Sequence, residues 1–278
     1  MEANVDQVTI DVDGLATELE NLMSDNLFMP LECCIFKVPT ILSRHNEEAY
    51  APNAFSVGPF YYKKRTLMEA TQKIKLKYLR GLISRSQSSL KDLIEAVTKV
   101  QDVARKCYAG PIGMTMKEFA KVMVLDGCFI IELFHKKAYE DLRDKDDPIF
   151  EMSCLLQFLF HDLIMLENQI PWVVLDTLFN LTLMTRIDEK PLIQLTTEFF
   201  GTIFSTTEPS IDPQPLLSRP CDSKHILDML RNSLLWSYPG LNTANPDWKP
   251  MPSVTSLKEA GIEFKKGNSK SILDIKFD

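Results

Sequence analysis

The sequence lacks a long apolar run. A membrane helix needs roughly 18–20 uninterrupted apolar residues, and the best candidate, Val122–Phe134, is shorter and carries Asp126 and Glu132. No membrane span is expected. Glycine is scarce, with ten residues, and they form neither a phosphate-cradling loop nor a GxSxG elbow. That excludes the commonest nucleotide and hydrolase signatures. The six cysteines (Cys33, Cys34, Cys107, Cys128, Cys154 and Cys221) contain no CxxC pair, so the spacing supports no zinc site. They read as buried thiols in a reducing compartment. Only four histidines occur: His45, His135, His161 and His225. A basic segment followed by an apolar one is missing near the N-terminus, so no secretory signal is expected. No basic stripe stands out, which argues against nucleic acid as a partner.

Basic residues are absent from one region altogether. Residues 1–29 hold seven acids and neither Lys nor Arg, while the rest of the chain balances 31 acids against 31 bases. The net charge of −7 therefore belongs to an N-terminal arm. Within it Leu15, Leu19, Leu22 and Met23 mark a short amphipathic helix. That helix either lies on the body or serves as a detachable acidic arm that contacts a partner.

What the chain does have is apolar helical pattern. With 278 residues, 45% hydrophobic and 25% charged, it is long enough for one large domain or two small ones. The organising stretch is 122–175, where two successive helices are apolar on nearly every face, the mark of buried helices. Val122–Phe134 and Leu155–Leu166 are expected to pack together at the centre, with Phe129 and Phe158 both buried. Around them the periodicity predicts a helix over 66–85 and one from Ser88 or Ser89 to the Gly110-Pro111 stop. Further helices are predicted from Thr115 to about Asp141 and over 149–167, with new ones opening at Pro171 and Pro191. Cys33–Pro59 reads as ordered but irregular, because Pro39, Pro52 and Pro59 forbid long helices. Asp144–Pro148 reads as a solvated loop. Eight of the sixteen prolines fall in 209–252, around one clear helix at 223–236 capped by Asp222. The tail shows a capping-box spacing at Ser256–Glu259 and a helix stop at Gly261. Apolar alternation at Ile262, Phe264, Leu273, Ile275 and Phe277 then predicts a β-hairpin.

The expected fold is thus mainly α, a multi-helix bundle-like domain with a small C-terminal β-hairpin. Its parts are an acidic arm (1–29), a helical core (30–208), a proline-rich connection with one helix (209–252) and a short helix with hairpin (253–278). The last strand alternates to the final residue, so it is expected to need a partner element and to promote self-association.

Catalytic chemistry is thinly represented. His161 and Asp162 are adjacent on a helix and point about 100° apart, so they cannot meet face to face. Glu132 and His135 share a face, but a metal needs a third ligand. No catalytic, cofactor-binding or metal residue is assigned. The bland alternative is that Asp126, Glu132, His161, Asp162 and Glu167 satisfy helix ends and loops or sit at the edge of the core, with Asn168 and Gln169 serving the helix break before Pro171.

The strings CCIFKVP, NEEAYAPNAFSVGP, KLKYL, ARKCY, LDGCFIIELF, DPIF, HDLIMLENQIPWVVLDTLF, HILDMLR, LKEAGIEFKK and ILDIKF occur in one order. In that combination the chain resembles the plant domain-of-unknown-function 247 family over about residues 32–278. The resemblance implies a plant protein, largely helical and usually longer than this chain, whose relatives often end in a membrane-spanning segment. It also implies no established activity, and a link, for some grass members, to pollen self-incompatibility. On that basis the chain is expected to be a truncated member lacking the usual C-terminal third. The family often has a His pair after Gly-Pro, where this chain has Tyr61-Tyr62. Where the family often has Met-Glu-x-His-Lys, this chain has Thr71-Gln72-Lys73-Ile74-Lys75. No histidine-dependent role carries over. The expected function is non-catalytic recognition or signalling through a protein partner, in the cytoplasm or peripherally at the plasma membrane. The alternative is a hydrolase-like enzyme with a site around Glu132, His161 and Asp162.

Overall fold

The computed structural model describes residues 11–24, 31–62, 69–184, 188–201, 223–237 and 252–265. Among them are eleven α-helices: α1 (Val12–Ser24), α2 (Thr40–Ser43), α3 (Glu69–Arg85), α4 (Leu90–Lys106), α5 (Met116–Ala138), α6 (Pro148–Glu151), α7 (Ser153–Leu163), α8 (Trp172–Leu181), α9 (Leu192–Phe200), α10 (Ile226–Ser237) and α11 (Val254–Glu259). The fold is mainly α, as the periodicity predicts. No strand is found among the described residues. The one isolated bridge described joins Ile35 to Tyr108.

Helix starts follow local chemistry. Ser89 and Asp92 form a reciprocal capping box that opens α4, and Thr115 with Glu118 does the same for α5. Prolines 171 and 191 stand immediately before α8 and α9, fixing the entry without needing a donor. Between those starts, α5 is the axis. Seventeen of its 23 residues are buried, so it presents no continuous solvent face. Its principal neighbours are α3, α4, α8 and α9. Gly127 lets α8 come close, since a Cβ there would lie 2.5 Å from Leu178 Cδ1. Aromatic rings lock the layers. Phe129 stacks on Phe55 with centroids 5.3 Å apart, and Phe134 and Phe160 meet Phe199 at 4.9 and 4.7 Å. α10 joins the same core through Ile226, Met229 and Leu230.

Several expectations need correction. α7 is not a second buried axis. It packs chiefly on α6, and only Leu159, Asp162 and Leu163 are buried. These lie at i, i+3 and i+4, a single helical face. Phe158 is 44% exposed, because apolar content alone does not say which face meets the core. The helix expected over 149–167 is interrupted at Met152, whose backbone is extended, and it ends at Leu163.

The C-terminal β-hairpin finds no support. Ile262 and Phe264 are exposed and irregular, and 266–278 lie outside the described residues. The Ile262 N–H closes α11 by bonding Leu257 O at 3.0 Å. The Gly261 N–H meanwhile bonds Lys258 O at 3.0 Å, with Gly261 at φ +88°. This is a Schellman closure, in which the residue after the glycine is ordinarily apolar. Ile262 is thus explained by a helix end, and the self-association expected through the hairpin has no described strand to rest on. Asp222 and Cys221 also lie outside the described residues.

Candidate functional site

Residues 53–58 cross the interior with neither helix nor ladder. Phe55, Ser56 and Val57 are each at most 1% exposed. Buried backbone of this kind must find partners, and here side chains supply them. The Asp162 carboxylate accepts the N–H groups of Asn53, Ala54 and Phe55 at 2.8, 2.8 and 2.7 Å. Asn168 accepts from Val57 N–H at 2.6 Å and donates to Phe55 O at 2.9 Å. Asp126 accepts from Gly58 N–H at 3.0 Å. Lys75 donates to Ser56 O and pairs with Asp126 at 2.8 Å, both side chains being fully buried. Gly58 ends this strap at φ +71°, where a Cβ would stand 2.5 Å from Gln169 O. Only glycine takes that backbone without strain.

The same residues close α7. Asn168 Nδ2 also donates to Asp162 O at 2.7 Å, and Gln169 Nε2 donates to Leu163 O and Met165 O at 2.7 and 2.8 Å. These carbonyls lie at and just past the helix end, where the regular i→i−4 ladder stops. Gln169 Oε1 accepts from Leu227 N–H at 3.1 Å, and Glu167 accepts from Val38 N–H at 2.7 Å. The Asp162, Glu167, Asn168 and Gln169 side chains thus perform the loop-satisfying role that the sequence suggests as the bland reading.

A second polar cluster sits where α3 meets α5. Glu132 is fully buried and pairs with Arg85. Burial pushes its carboxyl above the usual range, against the pull of that guanidinium. Tyr78 donates to Asp147, which also accepts from Lys136 at 2.8 Å. Burial and the Asp147 carboxylate hold the Tyr78 phenol well above its ordinary value. Asp147 is 1% exposed, so the solvated loop expected at 144–148 is half wrong. Asp144 is partly in solvent and pairs with Lys77 and Lys136, while Asp147 belongs to the interior.

The residues of the hydrolase-like alternative are not brought together. Glu132 is buried beside Arg85, Asp162 faces the strap, and His161 is exposed. Nor do the histidines converge. His45 and His161 are exposed, whereas His135 lies tilted against Phe179 and His225 contacts Cys34 O at 3.2 Å. Among the described residues no group of three or more metal-ligating side chains is poised around one point. Of the cysteines, Cys33, Cys34, Cys107 and Cys128 are buried and Cys154 is exposed, correcting the expectation for that one. Burial raises the Cys128 thiol to about 12, which keeps it protonated.

Sequence reasoning missed Lys75, Arg85 and Asp147. A signal existed for the first two. Lys75, Tyr78, Leu82 and Arg85 follow one another at spacings of three, four and three, so the cations ride the buried face of α3.

A different feature lies on the surface. Helices α3, α4 and α5 leave between them a groove of about 550 Å³. It is lined by Leu76 and Leu79 of α3, Leu90 and Ile94 of α4, and Met116, Ala120 and Val124 of α5, with Lys117 and Lys121 alongside them. Leu76, Leu90, Ile94 and Met116 are each between 43% and 55% exposed.

Taken together, the class is a helical domain built on one buried axis, with an internal strap held by side chains and an open apolar groove. The chain belongs to the plant protein family of unknown function, domain of unknown function 247, whose pattern matches residues 35–278. It is similar to the Arabidopsis thaliana UPF0481 protein At3g47200, at 30% identity over 246 residues, covering 86% of this chain and 48% of that one. It is also similar to the putative UPF0481 protein At3g02645 of the same plant, at 26% identity over 198 residues, covering 70% of this chain and 36% of that one. The chain therefore spans less than half the length of these relatives. No solved structure matches it. Among the described residues no helix is long and apolar enough to cross a membrane.

Proposed function

We propose that the chain is a non-catalytic recognition module that takes an amphipathic helix of a protein partner into the groove between α3, α4 and α5. One observation carries this reading: the groove is apolar and open, with two lysines in its lining and Leu76, Leu90, Ile94 and Met116 all substantially exposed. Helix-in-groove binding uses just such a lining, and contiguous exposed apolar surface marks an interaction site. The interior charges, by contrast, are engaged with the strap and with one another, which suits a scaffold role. A place in recognition or signalling follows from this reading, pollen self-incompatibility being one setting that the family resemblance suggests. We place its action in the cytoplasm or peripherally at the plasma membrane.

The test replaces Ile94 with a photo-reactive phenylalanine analogue and illuminates the protein in plant extract. A helical peptide of one partner should be joined at that position, and the Leu76→Glu variant, at a groove position 55% exposed, should lose it without a change in Tm. Partners joined only through other faces would overturn the groove as the binding site.

A further inference from the structure

Among the described residues helix α1 is another uncovered apolar surface. Val12, Leu15, Leu19 and Met23 are spaced three, four and four residues apart, which puts them on one stripe, and they are 70, 47, 50 and 63% exposed. A 13-residue helix is marginal in water when nothing covers its apolar face. Resting on the reading of the groove as a helix-binding site, we propose that α1 of the same chain is its resident occupant, and that an external partner gains the groove by displacing it.

Three features fit this pairing. The first is length. The α1 stripe covers eleven steps, roughly 16 Å at the helical rise. The groove wall on α4 runs from Leu90 to Gln101, also eleven steps. The second is charge. The arm of residues 1–29 carries seven acids and no base, with Asp13, Glu18 and Glu20 on α1 itself. The groove lining offers Lys117 and Lys121 and no carboxylate. The third is reach. The body takes up the chain at Cys34, whose N–H bonds Cys107 O at 2.9 Å. Two residues away Arg105 donates to Met114 O and Thr115 O at 2.9 and 3.0 Å, beside Met116 at the groove wall. Eight residues, the number from 25 to 32, can span at most roughly 27 Å, enough to bring α1 back over that end. Tethering also holds α1 at an effective concentration of order 1 mM, which favours it over a second copy at ordinary protein concentrations.

The test treats the full chain with a carbodiimide, which joins a carboxylate to an amine only in direct contact, and maps the joined peptides by mass spectrometry. Glu18 or Glu20 should be joined to Lys117 or Lys121 within monomers. The links should vanish in the Leu15→Asp/Leu19→Asp variant, which alters only exposed positions. Mixing light and nitrogen-15-labelled chains identifies the source: mixed-isotope links mean that a second copy supplies the helix and overturn the proposal. A free peptide of residues 11–24 gives an independent readout. If it binds the open groove at about 100 µM, it should bind the wild-type chain about tenfold more weakly than the Leu15→Asp/Leu19→Asp variant. Equal affinity for both overturns the proposal. Should α1 fail these tests while Ile94 still captures a partner helix, the regulation is lost and the recognition reading survives; should Ile94 capture nothing, that reading falls by its own experiment.

Discussion

Lys75 and Asp126 set the terms at the scale of single residues. Two opposite charges in full burial are stable only as a pair with their remaining valences satisfied, and the Ser56 carbonyl and Gly58 N–H supply those valences. Lys75→Met leaves the Asp126 charge uncompensated and should destabilise by about 3–5 kcal/mol in urea unfolding. Adding Asp126→Asn removes that charge while keeping an acceptor for Gly58, so the double variant should recover part of the loss. If it is no more stable than the single variant, Lys75 contributes through packing rather than charge. His225 offers a pH test. Its Nδ1 accepts the Asp228 N–H at 3.2 Å and its Nε2 faces Cys34 O at 3.2 Å, so the neutral ring uses both nitrogens. Burial holds the imidazole below its ordinary value of 6.5. The unfolded chain therefore takes up the proton first as pH falls. Stability from this group is intact above that value and is lost as pH drops through it. Tm measured from neutral to mildly acidic pH should fall, and His225→Gln should fall less steeply over the same window.

At the scale of elements, α5 and α7 have similar apolar runs and different fates. Phe129 stacks on Phe55 and contacts Tyr78, with centroids 5.3 Å apart in both cases, so Phe129→Ala should cost about 3–5 kcal/mol in thermal unfolding. Phe158→Ala removes an exposed ring and should stay within about 0.5 kcal/mol. Equal costs would mean that α7 is buried as deeply as α5. The contrast also shows what the sequence reveals. Helix starts were readable because Ser89, Thr115, Pro171 and Pro191 act locally, through caps and fixed φ. The burial of α5 was readable because no face of it is polar. The orientation of α7 was not, because its direction depends on which neighbours arrive, and no local residue records that. Nor was the end of α7 at Leu163, since the groups that cap it come from Asn168 and Gln169 folding back. Within the polar interior, Asp126 and Asp162 were visible as charges on apolar helices, yet their partner, the backbone of 53–58, leaves no periodic trace.

For the whole molecule, the close approach of α5 and α8 is a sharp constraint. Gly127→Ala sets a methyl against Leu178 Cδ1 at 2.5 Å. The two helices must then separate or Leu178 must leave its rotamer, and overpacking of this kind costs about 1–3 kcal/mol. Leu178→Ala added to Gly127→Ala should relieve the clash, so the pair should be less destabilised than the sum of the single changes. Strict additivity in urea unfolding would show that the contact is not what limits the approach. Glu132 makes the opposite point, because its charge is met across α3 by Arg85 and not by the helix that carries it.

The strap also sets a timetable. Its partners lie far along the chain: Asp162 is 107 to 109 residues from the backbone groups it holds, and Asn168 is 111 from Val57. During synthesis the 53–58 backbone emerges well before either side chain exists. At ribosomal rates of roughly 5–20 residues per second, that interval is about 5–20 s. For that time Phe55 and Val57 lack these hydrogen-bond partners, and for most of it α5, complete only at Ala138, is not yet there to cover them. The nascent chain is therefore most exposed to chaperones, and to misassembly with its neighbours, before residue 168 leaves the exit tunnel.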